Sequence, residues 1–165
     1  MGQQLSGIVT SFAYSGERPS AVLVGNYQFI PIRPRYEPGF KETVLAPYRQ
    51  LTKPARTELS ELSFKGACAY LEIDFHGGLG SQLGEVWQDG DRVTGPLVSL
   101  HGYSEPLASE YAANYEGADR VEWAANKCLS GIGIYRRDGM DEFDAAGFGF
   151  FDSNDDALNN GASGD

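Results

Sequence analysis

The alternation of apolar and polar side chains at the start of the chain predicts strands joined by a tight turn. In residues 5–14, "LSGIVTSFAY", Ile8 lies on one face of the predicted strand and Val9 on the other. The following run "AVLVGNYQFIPI" has two apolar parts that meet at Gly25 and Asn26. This residue pair is typical of a hairpin turn, so the first part of the chain is expected to be sheet.

A second group of strands follows in the middle of the chain. Apolar runs at 67–75, 82–88 and 92–100 are separated by short polar stretches, as in a meander of neighbouring strands. Asp89 and Gly90 connect the last two runs and again favour a tight turn. Sequential hairpins of this kind indicate a mainly antiparallel sheet.

Helical periodicity is confined to a few short segments. The sequence predicts helices over 54–63, after the cap residue Ser104, and over 119–130, where Asp119 is the expected first residue. The stretch "EFDAAGFGFF", residues 142–151, is expected to add a short strand. The predicted class is therefore α+β, a mainly antiparallel sheet of hairpins and a meander packed with three or so short helices.

Length and composition predict one domain and a separate tail. The chain has 165 residues, enough for one hydrophobic core and too few for two ordinary domains. We expect a single domain over residues 1–150. Residues 151–165, "FDSNDDALNNGASGD", have the polar composition of a flexible acidic tail.

The sequence also suggests a cellular compartment. It contains no apolar run near the roughly 20 residues of a membrane span, and its first residues do not resemble a signal peptide. Two cysteines, Cys68 and Cys128, are too few for a disulfide framework and are expected to be buried free thiols. These features predict a cytoplasmic protein.

Negative charge is concentrated at the C-terminal end. The net charge is −10, and the stretch from Asp138 to Asp165 holds eight carboxylates and no lysine or arginine. Such a segment repels nucleic acid and anionic membranes and attracts a basic protein partner. A tail that only increases solubility has the same composition.

The strand at 67–75 carries the first group of candidate catalytic residues. Glu72, Asp74 and His76 alternate with apolar residues and therefore share one face, about 7 Å apart along the strand. Two carboxylates and an imidazole can bind a divalent metal or exchange protons with a substrate. A strand with one face toward solvent or an interface shows the same alternation, and we expect this second arrangement.

The glycine-rich sequence after this strand resembles a phosphate-binding loop only superficially. Gly77, Gly78 and Gly80 lead into Gln82 and a predicted strand, whereas phosphate loops open a helix and often carry a lysine. The glycines are expected to form a tight corner between paired strands.

Three other kinds of site are excluded by the pattern. Asp152, Asn154 and Asp156 have the spacing of a calcium loop, but Ala157 and Ser163 stand where glycine and glutamate are needed. The chain has no Gly-x-Ser-x-Gly nucleophile motif and no basic patch interleaved with aromatic residues. We therefore expect no metal, no cofactor and no nucleic-acid partner.

The motif around this corner resembles one found in small bacterial proteins of unassigned activity. In those proteins an Ala-Tyr-x-Glu-x-Asp/Glu strand runs into a Gly-Gly-x-Gly-x-Gln turn and then an apolar strand. The group is similar to single-domain immunity proteins of bacterial toxin systems, which implies a binding role and no catalytic residues. The matching positions are Ala69, Tyr70, Glu72, Asp74, Gly77, Gly78, Gly80 and Gln82, and later Asp141, Glu142, Phe143 and Asp144.

These observations lead to one preferred function and two alternatives. The preferred function is an immunity-type inhibitor that docks on a basic protein, such as a toxin, and neutralises it. Its contacts are expected from the carboxylates Asp141, Glu142, Asp144, Asp152, Asp155 and Asp156, with an aromatic anchor. The alternatives are a small metal-dependent hydrolase using Glu72, Asp74 and His76, and a structural subunit that pairs through its sheet edge.

Overall fold

A seven-stranded sheet organises the chain in the computed structural model, which describes residues 2–34 and 39–161. All neighbouring strands are antiparallel except the last pair, and the spatial order is β2-β3-β1-β4-β5-β6-β7. The strands are β1 (Gln3–Thr10), β2 (Ala21–Val22), β3 (Gln28–Pro31), β4 (Cys68–His76), β5 (Leu79–Gln88), β6 (Asp91–His101) and β7 (Asp119–Arg120).

Five α-helices accompany the sheet in the described part of the chain, so the α+β class is confirmed. Thr52 caps the first helix by accepting a hydrogen bond from the Ala55 amide, and Pro54 occupies its first turn. The helices are α1 (Lys53–Leu62), α2 (Glu105–Ala112), α3 (Ala124–Gly131), α4 (Glu142–Ala146) and α5 (Asn154–Gly161).

Both faces of the sheet are covered near its centre. Leu71 and Ile73 of β4 point to one side, where α3, α4 and α5 contribute buried residues such as Leu129. Tyr70 points to the other side and packs with Leu59 of α1 and with the loop that precedes this helix. The period-two prediction for β4 is therefore right about which residues share a face.

The predicted tight turns are confirmed by the backbone. Gly25 and Asn26 have φ angles of 76° and 70° between β2 and β3. Asp89 and Gly90, with φ of 52° and 85°, connect β5 to β6. Positive φ at consecutive residues matches the right-handed twist of the flanking strands, which is why glycine and asparagine or aspartate stand there.

Two predicted elements near the C-terminal end are wrong. Asp119 does not begin a helix, because β7 pairs with β6 and the Val121 amide donates to the Val98 carbonyl. The helix begins instead at residue 124. Residues 142–146 are helical rather than a strand, since Asp141 accepts a hydrogen bond from the Asp144 amide and caps them.

The predicted separate tail is corrected for residues 151–161, which belong to the folded body. The Gln4 amide donates to the Asp152 carbonyl at 2.8 Å, beside the first residues of β1, which do not pair with β3. Asn154 is almost fully buried and exchanges two hydrogen bonds with the backbone of Ser6 at 2.9 and 3.0 Å. Residues 162–165 of the predicted tail lie outside the described residues.

Replacing Asn154 by alanine is expected to destabilise the protein by about 2 kcal/mol. The substitution leaves the buried amide of Ser6 without a partner, whereas the Ser6 carbonyl keeps its hydrogen bond from the Ile32 amide. An unsatisfied buried polar group costs roughly 1–3 kcal/mol. Urea unfolding measures the loss, with Asn159→Ala on the exposed side of α5 as the matched control. Equal stability of the two variants would contradict the docking of α5 on β1.

Candidate functional site

The prediction that Glu72 lies on a solvent-facing side of β4 is wrong, because this residue is only 7% exposed. The loop before α1 covers this side chain. The amides of Arg49 and Gln50 donate to the carboxylate at 2.9 and 2.6 Å, and the Tyr70 hydroxyl donates to it at 2.8 Å. Glu72 therefore fastens this loop to the sheet, and its acceptor positions are occupied by the protein itself.

Burial sets the protonation of this residue. Removal from water raises the pKa of Glu72 above its ordinary value, and the amide and hydroxyl donors oppose that rise by favouring the charged form. The buried Tyr70 hydroxyl also has a raised pKa, first because of its own burial and then because of the Glu72 charge. It therefore stays protonated and serves as a donor.

Asp74 and His76 lie at the more open end of the same strand. The Asp74 carboxylate is 3.1 Å from the Arg49 guanidinium and 2.6 Å from Nε2 of His76. His76 is largely exposed. The structure thus brings Asp74 and His76 into contact, while Glu72 is occupied by the loop.

A cavity of about 380 Å³ opens between the loop and this end of the sheet. Its two arginines each lie near a carboxylate: Arg49 pairs with Asp74, and Arg33 is 3.9 Å from the exposed Asp155. The lining residues are Gln4, Leu5, Ser6, Arg33, Arg49, Gln50, Glu72, Ile73, Asp74, Ser81 and Leu83.

A metal at this position has no support from the geometry. Across residues 2–34 and 39–161, no group of three or more His, Cys, Asp or Glu side chains is arranged to hold an ion. The oxygens of Glu72 accept hydrogen bonds from backbone amides, and the Asp74 carboxylate is paired with the Arg49 guanidinium. The metal-dependent hydrolase therefore lacks a ligand set.

The glycine sequence is a corner, as predicted. Gly77 and Gly78 have φ of 58° and 83° and form the two-residue turn between β4 and β5. Gly80 is required for a different reason, since a Cβ there would lie 2.3 Å from the Phe75 ring. Gln82 accepts a hydrogen bond from the Ala125 amide and so helps to position the N-terminus of α3.

Two of the six predicted partner-binding carboxylates have clear roles within the fold. Asp141 caps α4 and also accepts a hydrogen bond from Asn126. Asp156 accepts a hydrogen bond from the Asp152 amide at the start of α5. Acidic groups at helix N-termini stabilise the helix dipole, which accounts for part of the local excess of negative charge.

The other four carboxylates differ in their availability to a partner. Glu142 is mostly buried beside Arg136, 3.6 Å from its guanidinium. Asp144, Asp152 and Asp155 are exposed, and the Asp155 side chain retains 80% of its accessible surface. The last three are therefore the carboxylates that an incoming cation reaches first.

The cysteines are buried and free, as predicted. Burial raises the pKa of Cys68 and of Cys128 to about 12 in each case. Because the thiolate is the reactive form, both thiols are expected to be inert near neutral pH.

Sequence reasoning missed a second buried carboxylate, Glu85. It is fully buried on β5 and is paired with Arg56 of α1 at 2.7 Å. Its other oxygen accepts a hydrogen bond from the Trp87 indole. Because side chains alternate along a strand, Glu85 shares a face of β5 with the apolar residue Leu83. That shared face is the one signal in the sequence that indicates burial of this acid.

Comparison with protein-family models, with curated proteins and with solved structures finds no match. The resemblance to immunity proteins therefore stays a prediction. No helix in the described part of the chain combines the length and the apolar character needed to cross a bilayer.

Glu72 gives a prediction about pH. Its pKa is raised in the folded state, so above its ordinary value of 4.5 the folded chain binds more protons than the unfolded chain. The stability that this proton confers is complete below pH 4.5 and is lost as pH rises through the folded-state pKa. Glu72→Gln removes this dependence because its amide does not titrate.

Urea unfolding of the wild type and Glu72→Gln from pH 4 to pH 8 measures the effect. We expect the free energy of unfolding of the wild type, relative to the variant, to fall as pH rises. A difference that stays constant over this range, or that grows with pH, would contradict the raised pKa.

Proposed function

We propose that this protein is an immunity-type inhibitor that docks on a basic protein partner and blocks it. The observation that carries the proposal is the local excess of negative charge between residues 138 and 165, where eight carboxylates have no lysine or arginine among them. A field of one sign accelerates encounter with a partner of opposite sign and disfavours nucleic acid.

Exposure of part of this charge supports the proposal. Asp144, Asp152 and Asp155 extend from the first turns of α4 and α5 or from the residues just before them, where helix dipoles stabilise carboxylates without neutralising them. These acids serve as steering charges. Most of the affinity is expected from a desolvated anchor elsewhere on the interface.

Affinity capture from a native lysate at about 50 and about 300 mM salt tests the proposal. The bait is the tagged wild type beside Asp144→Asn/Asp152→Asn/Asp155→Asn. A matched control neutralises three exposed acids of the body in Glu17→Gln/Glu42→Gln/Asp91→Asn.

We expect one basic protein in stoichiometric amount, retained at low salt and released as salt rises. Retention is expected to weaken in the C-terminal variant more than in the control, although both lose three charges. Absence of a stoichiometric basic protein at both salt concentrations would contradict the proposal for that lysate. Equal weakening of the two variants would show that net charge alone is responsible.

A further inference from the structure

Helix α2 has a single fully buried residue. Ala108 is buried, whereas six of the other seven residues of the helix are exposed and Ala112 is half-buried. Leu107 and Tyr111 are four positions apart and therefore share one face, and both are among the exposed large apolar residues. An isolated helix of eight residues is unstable in water, so a helix this short normally packs its apolar face against the rest of the protein. An exposed apolar face on α2 is therefore an unusual feature.

Further aromatic residues precede and follow this helix in the chain. Tyr103 contacts Tyr111 with ring centroids 4.9 Å apart. Trp123 stacks on His101 at 4.3 Å, and His101 stacks in turn on Phe75 at 5.3 Å. Trp123 remains 45% exposed, so the ring is held in position while much of its surface faces solvent.

The same stretch of chain is strongly acidic. Residues 101–123 contain five carboxylates and a single arginine, Arg120, which is already paired with Glu105 at 3.1 Å. Glu110 and Glu122 are exposed. Burial lowers the pKa of His101, and the charge of nearby Glu122 opposes part of that lowering. Carboxylates thus stand beside the held aromatic rings.

We infer that α2 and Trp123 form the docking surface for an arginine-bearing segment of the basic partner. This α2 surface consists of Tyr103, Leu107, Tyr111 and Trp123 with the carboxylates Glu110 and Glu122. The inference rests on the proposed function and names the anchor that the C-terminal carboxylates do not supply.

The chemistry of arginine fits both features of the α2 surface. A guanidinium group stacks on aromatic faces and pairs with carboxylates, and it is more weakly hydrated than an ammonium group. Rings that are already held in place lose little conformational entropy on binding. Negative charge beside the rings excludes a nucleic-acid segment and favours a cationic peptide over an acidic one.

An acetylated, amidated hexa-arginine peptide is the probe, with hexa-lysine and hexa-glutamate as comparisons. Titration calorimetry gives affinities, and the two tryptophan indole resonances in a ¹⁵N spectrum give the location. We expect the arginine peptide to bind roughly 3–5 times more tightly than the lysine peptide. The Trp123 resonance is expected to shift. The Trp87 resonance is expected to stay unchanged, because the Trp87 indole donates a hydrogen bond to buried Glu85 away from this surface.

Three variants test the surface itself. Trp123→Ala is expected to lower the affinity for hexa-arginine by about tenfold or more, and Glu110→Gln/Glu122→Gln by a smaller factor. Phe64→Ala is the matched control, because Phe64 is an exposed aromatic residue, 69% accessible, outside this surface. The control is expected to bind like the wild type.

Different results separate this inference from the proposed function. Equal affinity for arginine and lysine peptides, with no effect of Trp123→Ala, would overturn the α2 surface. If retention of the partner captured from lysate then depended only on Asp144, Asp152 and Asp155, the proposed function would stand without the α2 surface. A dimer in light scattering that Trp123→Ala dissociates would assign the face to a second copy of this chain and would also overturn the inference.

Discussion

Replacing Arg56 by methionine is expected to lower the free energy of unfolding by up to about 3–5 kcal/mol, because the buried Glu85 carboxylate loses its close cation and keeps only the Arg92 guanidinium at 3.8 Å. Glu85 is fully buried, and Arg56 lies 2.7 Å away and 5.8 Å above the Tyr48 ring. Methionine retains most of the volume of the arginine stem, so the loss reflects charge more than packing.

Urea unfolding measures this loss, and two further variants interpret it. Arg18→Met removes the exposed pair Arg18–Glu58, at 2.8 Å, and is expected to cost no more than about 1 kcal/mol. Combining Arg56→Met with Glu85→Gln is expected to recover part of the stability, since the double variant no longer buries a carboxylate whose nearest cation is Arg92 at 3.8 Å. If Arg56→Met costs no more than Arg18→Met, Glu85 is not the buried anion described above.

Replacing Phe148 by alanine is expected to cost about 3–5 kcal/mol, the usual range for a large aromatic residue in a core. Phe148 is fully buried, makes an edge contact with Phe29 at 5.1 Å and stacks on Phe143 at 5.2 Å. This residue follows α4, so its loss weakens the packing of the C-terminal segment on β3.

Thermal unfolding of Phe148→Ala beside Phe64→Ala tests the packing. Phe64 is the exposed aromatic residue used above, and its truncation is expected to change stability by less than about 0.5 kcal/mol. Similar melting temperatures for the two variants would contradict the placement of Phe148 in the core.

The elements that sequence reasoning predicted well are specified by neighbouring residues. Strand β4 shows its period of two in Tyr70, Leu71 and Ile73, and each of these lies on the predicted face. Hairpins at Gly25-Asn26 and Asp89-Gly90 need only the two central residues to adopt positive φ. Both signals are complete within a few positions of the chain.

The elements that it misplaced depend on distant residues. Helix α3 begins at residue 124 because Ser99 and Gln82, on β6 and β5, accept hydrogen bonds from its first two amides. Glu72 is buried because the amides of residues 49 and 50 fold over it. Nothing in the sequence around Glu72 distinguishes that arrangement from a strand with a solvent-facing side.

The binding residues were only partly predictable for the same reason. Composition alone identified the C-terminal carboxylates. It did not separate Asp141 and Asp156, which accept hydrogen bonds from backbone amides, from the exposed Asp144 and Asp155. The sequence around Trp123 fits a core residue and an interface residue equally well. Its stacking on His101, far from any predicted contact, decides where the exposed face lies.

The most direct test of the proposed inhibitor is the association rate constant with its purified partner, measured by stopped flow between about 25 and about 300 mM salt. We predict a fall of at least about tenfold with rising salt, and a weaker dependence in Asp144→Asn/Asp152→Asn/Asp155→Asn. The dissociation rate constant is expected to change much less. An association rate constant that changes neither with salt nor with these three substitutions would contradict the proposed steering by the C-terminal carboxylates.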